Sequence, residues 1–130
     1  MRIASNFVLL LQRYCDERKR QNKNLNSNHL IMVKHIVLFQ VDKNLPEEKR
    51  REEMKKFKEG IEKLPKVIRC IRHIEVGFNV NPAEVWDICL NGDFDTMEDV
   101  LAYSNDPRHK AVAGALKPYM TGRSCVDYEY

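Results

Sequence analysis

The chain has 130 residues, of which 43% are hydrophobic and 32% are charged. This length fits one domain, and the apolar content is sufficient for a core, so the composition excludes a wholly disordered or fibrous chain. The longest uninterrupted apolar run, Phe7–Leu11, has five residues, whereas a membrane-spanning helix needs about 20. We therefore predict no membrane span.

The net charge of +3 is concentrated at the start of the chain. Residues 1–31 contain six Lys and Arg against two Asp and Glu, whereas residues 32–130 contain 16 basic and 17 acidic side chains. A protein that binds a polyanion needs excess positive charge on its folded part. The sequence therefore predicts no nucleic-acid partner.

Residues 1–31 differ from the rest of the chain. Apolar residues at helical spacing predict a short amphipathic helix over residues 3–18, and the Asn-rich stretch 21–29 is typical of a linker. Three interpretations are open: a secretory signal, a basic helix that binds a membrane surface or a partner, and a dispensable extension. A signal needs a longer apolar region and a small-residue cleavage site. We favour an extension, followed by a folded domain over residues 32–130, because a strand begins directly after Met32.

A strand and a helix open the folded part. The β-branched segment Val33–Val41 predicts a strand buried on both faces. After a short loop, Pro46 suits the first turn of a helix, which Pro65 ends. One apolar stripe of this helix contains Met54, Phe57, Ile61 and Leu64.

The second half of the domain repeats this pattern in a different order. Residues 67–77 and 85–94 alternate as two strands that we expect to pair antiparallel. A helical region follows, capped by Asp95 or Thr96. Asp106 and Pro107 interrupt this region and start a second helical segment, and residues 124–130 form the last strand.

The order strand, helix, strand, strand, helix, strand predicts an α+β ferredoxin-like βαββαβ domain with an antiparallel sheet. Right-handed crossovers place both helical regions on one face of that sheet. Ile36 and Leu38 make the opposite face apolar. Because no predicted helix of the domain covers this face, we expect a second copy of the chain to cover it, which gives a homodimer.

The four cysteines and the absence of known motifs exclude several chemistries. Cys15, Cys70, Cys89 and Cys125 form no C-x-x-C pair. The alternatives are a zinc site or a disulfide framework on one side, and reduced, buried hydrophobic residues of a cytoplasmic protein on the other, and we favour the second. The sequence contains no glycine-rich phosphate loop, nucleophile elbow or His-Glu-x-x-His motif. We predict no cofactor and no metal.

Three residues could transfer a proton. His35 is in the middle of the first strand, and His109 follows Tyr103 by six residues across the helix break. An imidazole and a phenol can act together near neutral pH. The alternative is that His35 is a core histidine and that the other two are ordinary helix residues.

The domain resembles the stress-responsive dimeric A/B barrel (Dabb) proteins over nearly all of residues 32–130. The matching segments are 33–39, 76–79, 94–99, 103–112 and 126–128. The resemblance implies a ferredoxin-like fold, a dimer whose two sheets close a barrel, and an apolar pocket between sheet and helices.

One plant branch of this family is a cofactor-free polyketide cyclase. Its base, its assisting tyrosine and its strand-one histidine correspond to His109, Tyr103 and His35 of this chain. If that chemistry is shared, His109 removes the proton, Tyr103 binds the carbonyl oxygen and His35 orients it. Many members have histidine where this chain has Asp106, which changes the charge at the pocket mouth.

The sequence thus supports two functions. The first is a cytoplasmic stress-response homodimer that binds a small apolar or carbonyl ligand without assigned activity. The second is a cofactor-free enzyme on a carbonyl substrate, such as a cyclase, isomerase or monooxygenase. For ligand contacts we select Phe39, Trp86 and Tyr119, and if these side chains fill the space themselves, both functions lose support.

Overall fold

The computed structural model describes residues 2–23 and 31–130. The elements, in chain order, are α1 (Arg2–Lys23), β1 (Val33–Val41), α2 (Glu47–Lys63), β2 (Ile71–Phe78), β3 (Ile88–Phe94), α3 (Met97–Asn105), α4 (Pro107–Leu116) and β4 (Met120–Glu129). Short 3₁₀ turns, Leu64–Lys66 and Lys117–Tyr119, follow α2 and α4.

The four strands form one antiparallel sheet in the order β2-β3-β1-β4. The two central strands, β1 and β3, are thus flanked by β2 and β4. This is the topology of a ferredoxin-like α+β domain, and it confirms the predicted fold class.

Every second residue of β1 is buried, beginning with Val33. The same face of β1 contains His35 and Phe39, and it packs against the apolar stripes of α2, α3 and α4. The stripe of α2 includes Met54, Phe57 and Ile61, as the helical spacing predicts.

The opposite sheet surface, which we call the open face, follows from the strand register. Ile36 pairs with Asn91 of β3 and with Val126 of β4, so these three residues share a side. Large apolar side chains remain accessible there, since Val126 is 54% exposed and Tyr128 is 49% exposed. The open face comprises Ile36, Leu38, Cys89, Asn91, Val126 and Tyr128.

The N-terminal helix is longer than predicted and is attached to the domain. α1 extends to Lys23 instead of ending at residue 18, and residues 24–29 of the predicted linker lie outside the described residues. Cys15 forms a disulfide with Cys70 just before β2, with their Cα atoms 5.2 Å apart. The prediction of four reduced cysteines is therefore wrong, because α1 docks where sequence spacing alone gives no indication.

The two remaining cysteines also differ from the prediction. Cys89 is only partly buried and Cys125 is exposed, so neither is a fully buried hydrophobic residue. Cys89 lies on the side of β3 that faces away from the helices, and Cys125 lies on the edge strand β4.

Three strand boundaries differ from their predicted positions. β2 begins at Ile71 because the 3₁₀ turn prolongs the preceding helix, and β4 begins at Met120, before the predicted residue 124. β3 begins at Ile88 and not at the predicted residue 85. Just before it, the Asp87 amide donates to the Phe39 carbonyl (2.9 Å), and the Asp87 carboxylate accepts from the Val41 amide (2.8 Å). Trp86 therefore precedes β3 and does not lie on it.

Within the described part of the chain, no helix combines the length and apolarity that crossing a membrane requires.

Candidate functional site

A cavity of about 400 Å³ lies between the buried face of the sheet and α4. This volume falls within the usual range of small-molecule pockets, about 300–1,000 Å³. Its apolar wall comes from the sheet, from α2 and from the start of β4, and contains Val37, Phe39, Phe57, Leu90 and Met120. The cavity remains open and is not filled by these side chains.

One face of α4 forms the wall of the cavity opposite the sheet. Lys110, Ala113, Gly114 and Lys117 recur at intervals of three and four residues, so they lie on the same side of this helical segment and its following turn. The two central residues are small, and no atom lies within 4 Å of the position that a Cβ at Gly114 would occupy. A large apolar residue there would project into the cavity.

His109 reaches the cavity because of the break between α3 and α4. The Asp106 side chain accepts a hydrogen bond from the Arg108 amide (2.8 Å), and Pro107 is the first residue of α4. These features confirm the predicted restart of the helix and place His109 in its first turn.

The tautomer of His109 is fixed by the preceding helix. Its Nδ1 lies 3.0 Å from the carbonyl oxygen of Ser104 and donates to it, because a carbonyl can only accept. Burial lowers the pKa of His109, and the hydrogen bond to Ser104 offsets this only in part. The imidazole is therefore neutral at pH 7, with a free lone pair on Nε2.

Tyr103 is fully buried beside both histidines. Its ring centroid lies 4.4 Å from that of His109 and 6.0 Å from that of His35. Among the described residues its hydroxyl has no hydrogen-bond partner, and burial raises its pKa. The phenol is thus a protonated donor at neutral pH, although Tyr103 is not itself among the lining residues.

The third predicted residue, His35, is held by a carboxylate. Its Nδ1 donates to Oδ1 of Asp127 across the β1–β4 pair at 2.6 Å. This bond fixes the ring and leaves Nε2 on its other side. Sequence reasoning assigned no role to Asp127, because only the strand register shows that it lies opposite His35.

A metal ion could be held next to this pair. Donor atoms of His35, Cys125 and Asp127 lie within 4.8 Å of one another. A similar group contains Asp99, but its two sulfur donors, Cys15 and Cys70, are joined in the disulfide.

The structure brings together some of the predicted ligand contacts and not others. Phe39 lines the cavity. Trp86 lines a second depression, of about 340 Å³, together with the open-face residues Leu38 and Cys89. Tyr119 packs at the edge of the core, with the Lys49 ammonium 5.4 Å from its ring centroid.

The site therefore combines a neutral imidazole base with an apolar wall, and a protonated phenol packs against the imidazole. An imidazole of this kind can remove a proton from a carbon acid, and a phenol can donate to a carbonyl oxygen. The sheet order and the placement of the helices define a ferredoxin-like domain, and the cavity between them is lined by two histidines.

The family follows from comparison with known proteins. The model of the stress responsive A/B barrel domain matches residues 33–130, and the chain belongs to this family. No curated protein sequence matches the chain.

Solved structures support the same assignment. A dimeric protein of unknown function from Bacteroides fragilis is 47% identical, with a TM-score of 0.74, over 76% of this chain and 96% of that protein. A dimeric ferredoxin-like protein from Thermobifida fusca is 21% identical, with a TM-score of 0.65, over 77% and 92%. A hydroxynitrile lyase from Passiflora edulis is 15% identical, with a TM-score of 0.64, over 76% and 93%. The last two share the fold.

Proposed function

We propose that this chain is a homodimer that binds a small apolar or carbonyl compound in the cavity between its sheet and α4. The observation that carries this proposal is the cavity itself, which has an apolar wall and polar groups from two histidines. Small-molecule sites are usually apolar pockets that contain a small number of polar groups directed at the ligand.

The open face supports the dimer. Contiguous apolar side chains on a sheet surface are commonly covered by a partner. The described contacts of α1 are with the turn that precedes β2 and with the α3–α4 region, for example the ion pair between Asp16 and Arg69 at 2.9 Å. None of these contacts is with a residue of the open face. The relatives from Bacteroides fragilis and Thermobifida fusca are dimeric.

A thermal-shift screen with small ketones, aldehydes and aromatic acids tests the binding function. A compound that binds only the native state raises the unfolding midpoint. We expect hits on the wild-type chain and weaker shifts for Ala113→Leu, which fills the cavity, with Ala83→Leu in an exposed loop as the control. Equal shifts for both variants would place the ligand elsewhere.

The pairing of Tyr103 with His109 favours a second candidate, a cofactor-free enzyme on a carbonyl compound. In this scheme Nε2 of His109 takes a proton from the carbon next to the carbonyl. The electron pair of the broken C–H bond forms a C=C bond, and the π pair of the carbonyl moves to its oxygen, to which the Tyr103 hydroxyl donates. His35, held by Asp127, orients the oxygen.

Hydrogen–deuterium exchange separates the enzyme from the binding protein. Acetophenone in D₂O loses its methyl proton signal in the NMR spectrum when a base removes these protons reversibly. We expect exchange with the wild-type chain and loss of it in His109→Ala, whose stability should change little. Exchange no faster than in buffer would leave the binding function alone, and a large fall in the melting temperature would make His109 structural.

The binding function is proposed to reside in residues 32–130, with residues 1–31 as an extension. Removing the extension should preserve ligand shifts while lowering stability, because the disulfide is lost. A cytoplasmic location stays a prediction. Disulfides are rare in reducing compartments, so thiol trapping in fresh cell lysate tests it: free Cys15 and Cys70 thiols would support this location, and a disulfide would count against it.

A further inference from the structure

Three cationic side chains lie at the cavity, and no acidic side chain is among those that line it. Lys110 comes from the cavity-facing side of α4, Lys117 from the 3₁₀ turn that follows it, and Arg123 from β4. The positive charge therefore reaches the cavity both from the helical layer and from the sheet.

These cations form no ion pair with a carboxylate among the described residues, in contrast to several others on the same chain. Arg72 forms a two-contact ion pair with Asp95 at 2.7 Å, and Arg108, next to the cavity, is paired with the buried Asp106 at 2.9 Å. Within residues 2–23 and 31–130, no carboxylate lies within 4.0 Å of Lys110, Lys117 or Arg123. The chain has 19 acidic residues, and none of them is among the residues that line this cavity.

We propose that the ligand of this cavity is an amphipathic carboxylate, whose apolar body lies against Phe39 and Phe57 and whose charged group lies among Lys110, Lys117 and Arg123. The inference rests on the proposed binding function and names its ligand class. An apolar wall of low dielectric strengthens the attraction of nearby cations for an anion. Arginine and lysine are also the usual partners of a carboxylate.

The same arrangement leaves His109 free for a neutral part of the ligand. His109 lines the same cavity as the three cations. When the cations bind the carboxylate, an uncharged part of the molecule is left for Nε2. A keto acid combines the required apolar, carbonyl and anionic groups.

The α4 terminus gives no reason to prefer a phosphate. The amides at the start of α4 are directed to Asp106, so they do not form the anion site that free helix N-termini provide. The three cations act only through their side chains, which suits one carboxylate.

A matched pair of probes tests the inference on the full chain. The probes are 4-oxo-4-phenylbutanoate and its primary amide, which have nearly the same shape and differ by one negative charge. Dissociation constants are measured by titration calorimetry at 20 mM and 500 mM NaCl. Since the cations are exposed, we expect the carboxylate to bind roughly tenfold more tightly at low salt, with a smaller ratio at high salt.

Variants locate the effect. Lys117→Gln and Arg123→Gln should each weaken carboxylate binding about threefold while leaving amide binding unchanged. Lys63→Gln changes the net charge equally but lies at the end of α2, so it should change neither constant. Unfolding midpoints confirm that each variant folds.

The outcomes distinguish the two proposals. Equal binding of both probes, independent of salt, overturns the carboxylate assignment and leaves the cavity function intact. Tighter binding of phenyl phosphate than of the carboxylate also overturns it. Absence of binding by either probe, in a chain that is folded, counts against the cavity function itself and therefore against both proposals.

Discussion

Replacing Tyr103 by phenylalanine tests whether its hydroxyl is reserved for a ligand. The hydroxyl is buried and has no hydrogen-bond partner among the described residues. A buried polar group without a partner costs about 1–3 kcal/mol. Tyr103→Phe keeps the ring contacts with His35 and His109 and removes only that cost, so the ligand-free protein should become more stable.

The size of this gain follows from the cost of the unpaired hydroxyl. At the lower end of about 1–3 kcal/mol, the free energy of unfolding should rise by about 1 kcal/mol, and the melting temperature by about 3–6 °C for a chain of this size. A neutral hydrogen bond to a ligand is worth about 0.5–1.5 kcal/mol. Ligand affinity should therefore fall about two- to tenfold in the same variant that gains stability.

Urea unfolding and calorimetric titration measure the two effects separately. Tyr14→Phe is the control, because Tyr14 lies partly exposed on α1, where its hydroxyl accepts from Arg18. If Tyr103→Phe loses 1 kcal/mol or more in the absence of ligand, the hydroxyl has a partner in solution and the reasoning fails. Unchanged affinity would mean that the hydroxyl does not contact the ligand.

Three further changes test other parts of the structure. Val126→Glu places a charge on the open face and should give a single subunit in light scattering, whereas Val80→Glu, in an exposed loop, should not; a dimer in both variants would move the interface elsewhere. Burial raises the pKa of Asp99 from 3.8 to about 6. Between these pH values the folded chain binds more protons than the unfolded chain, so the free energy of unfolding falls as pH rises through about 6. Asp99→Asn should therefore gain stability relative to wild type between pH 4 and pH 7, by at most about 3 kcal/mol in urea unfolding, and a pH-independent difference would show that the carboxyl is solvated. Cys15→Ser opens a loop of 55 residues and should cost about 2–4 kcal/mol, with no added loss under reducing conditions; equal stability of variant and oxidised wild type would mean that the disulfide does not stabilise the fold.

The local parts of the fold could be predicted because each depends on neighbouring residues. Val33–Val41 is a strand of the predicted length, since its β-branched pattern has no competing helical period. Asp106 and Pro107 restart the helix as predicted, because a cap and a fixed φ angle act within one turn. The histidine and tyrosine at this break therefore come together as the spacing indicates.

Features that depend on contacts between distant segments could not be predicted in this way. The partner of His35 is 92 residues away, and its identity depends on the β1–β4 register. The disulfide joins residues 55 apart through the docking of α1. Trp86 looks like a strand residue by alternation, yet β3 begins only at Ile88, after Asp87 has bonded to β1 with its amide and its side chain.

β4 connects the two proposed surfaces through the alternation of its side chains. Arg123 and Asp127 lie on the side of the sheet that faces the cavity, whereas Val126 and Tyr128 lie on the open face. β4 is an edge strand of the sheet and pairs only with β1 among the described strands. A partner subunit that covers the open face would therefore restrict the strand that supplies Arg123 and orients His35. Because dissociation removes this restriction, Val126→Glu should weaken binding of the keto-acid probe as well as dissociate the dimer, although Val126 does not line the cavity.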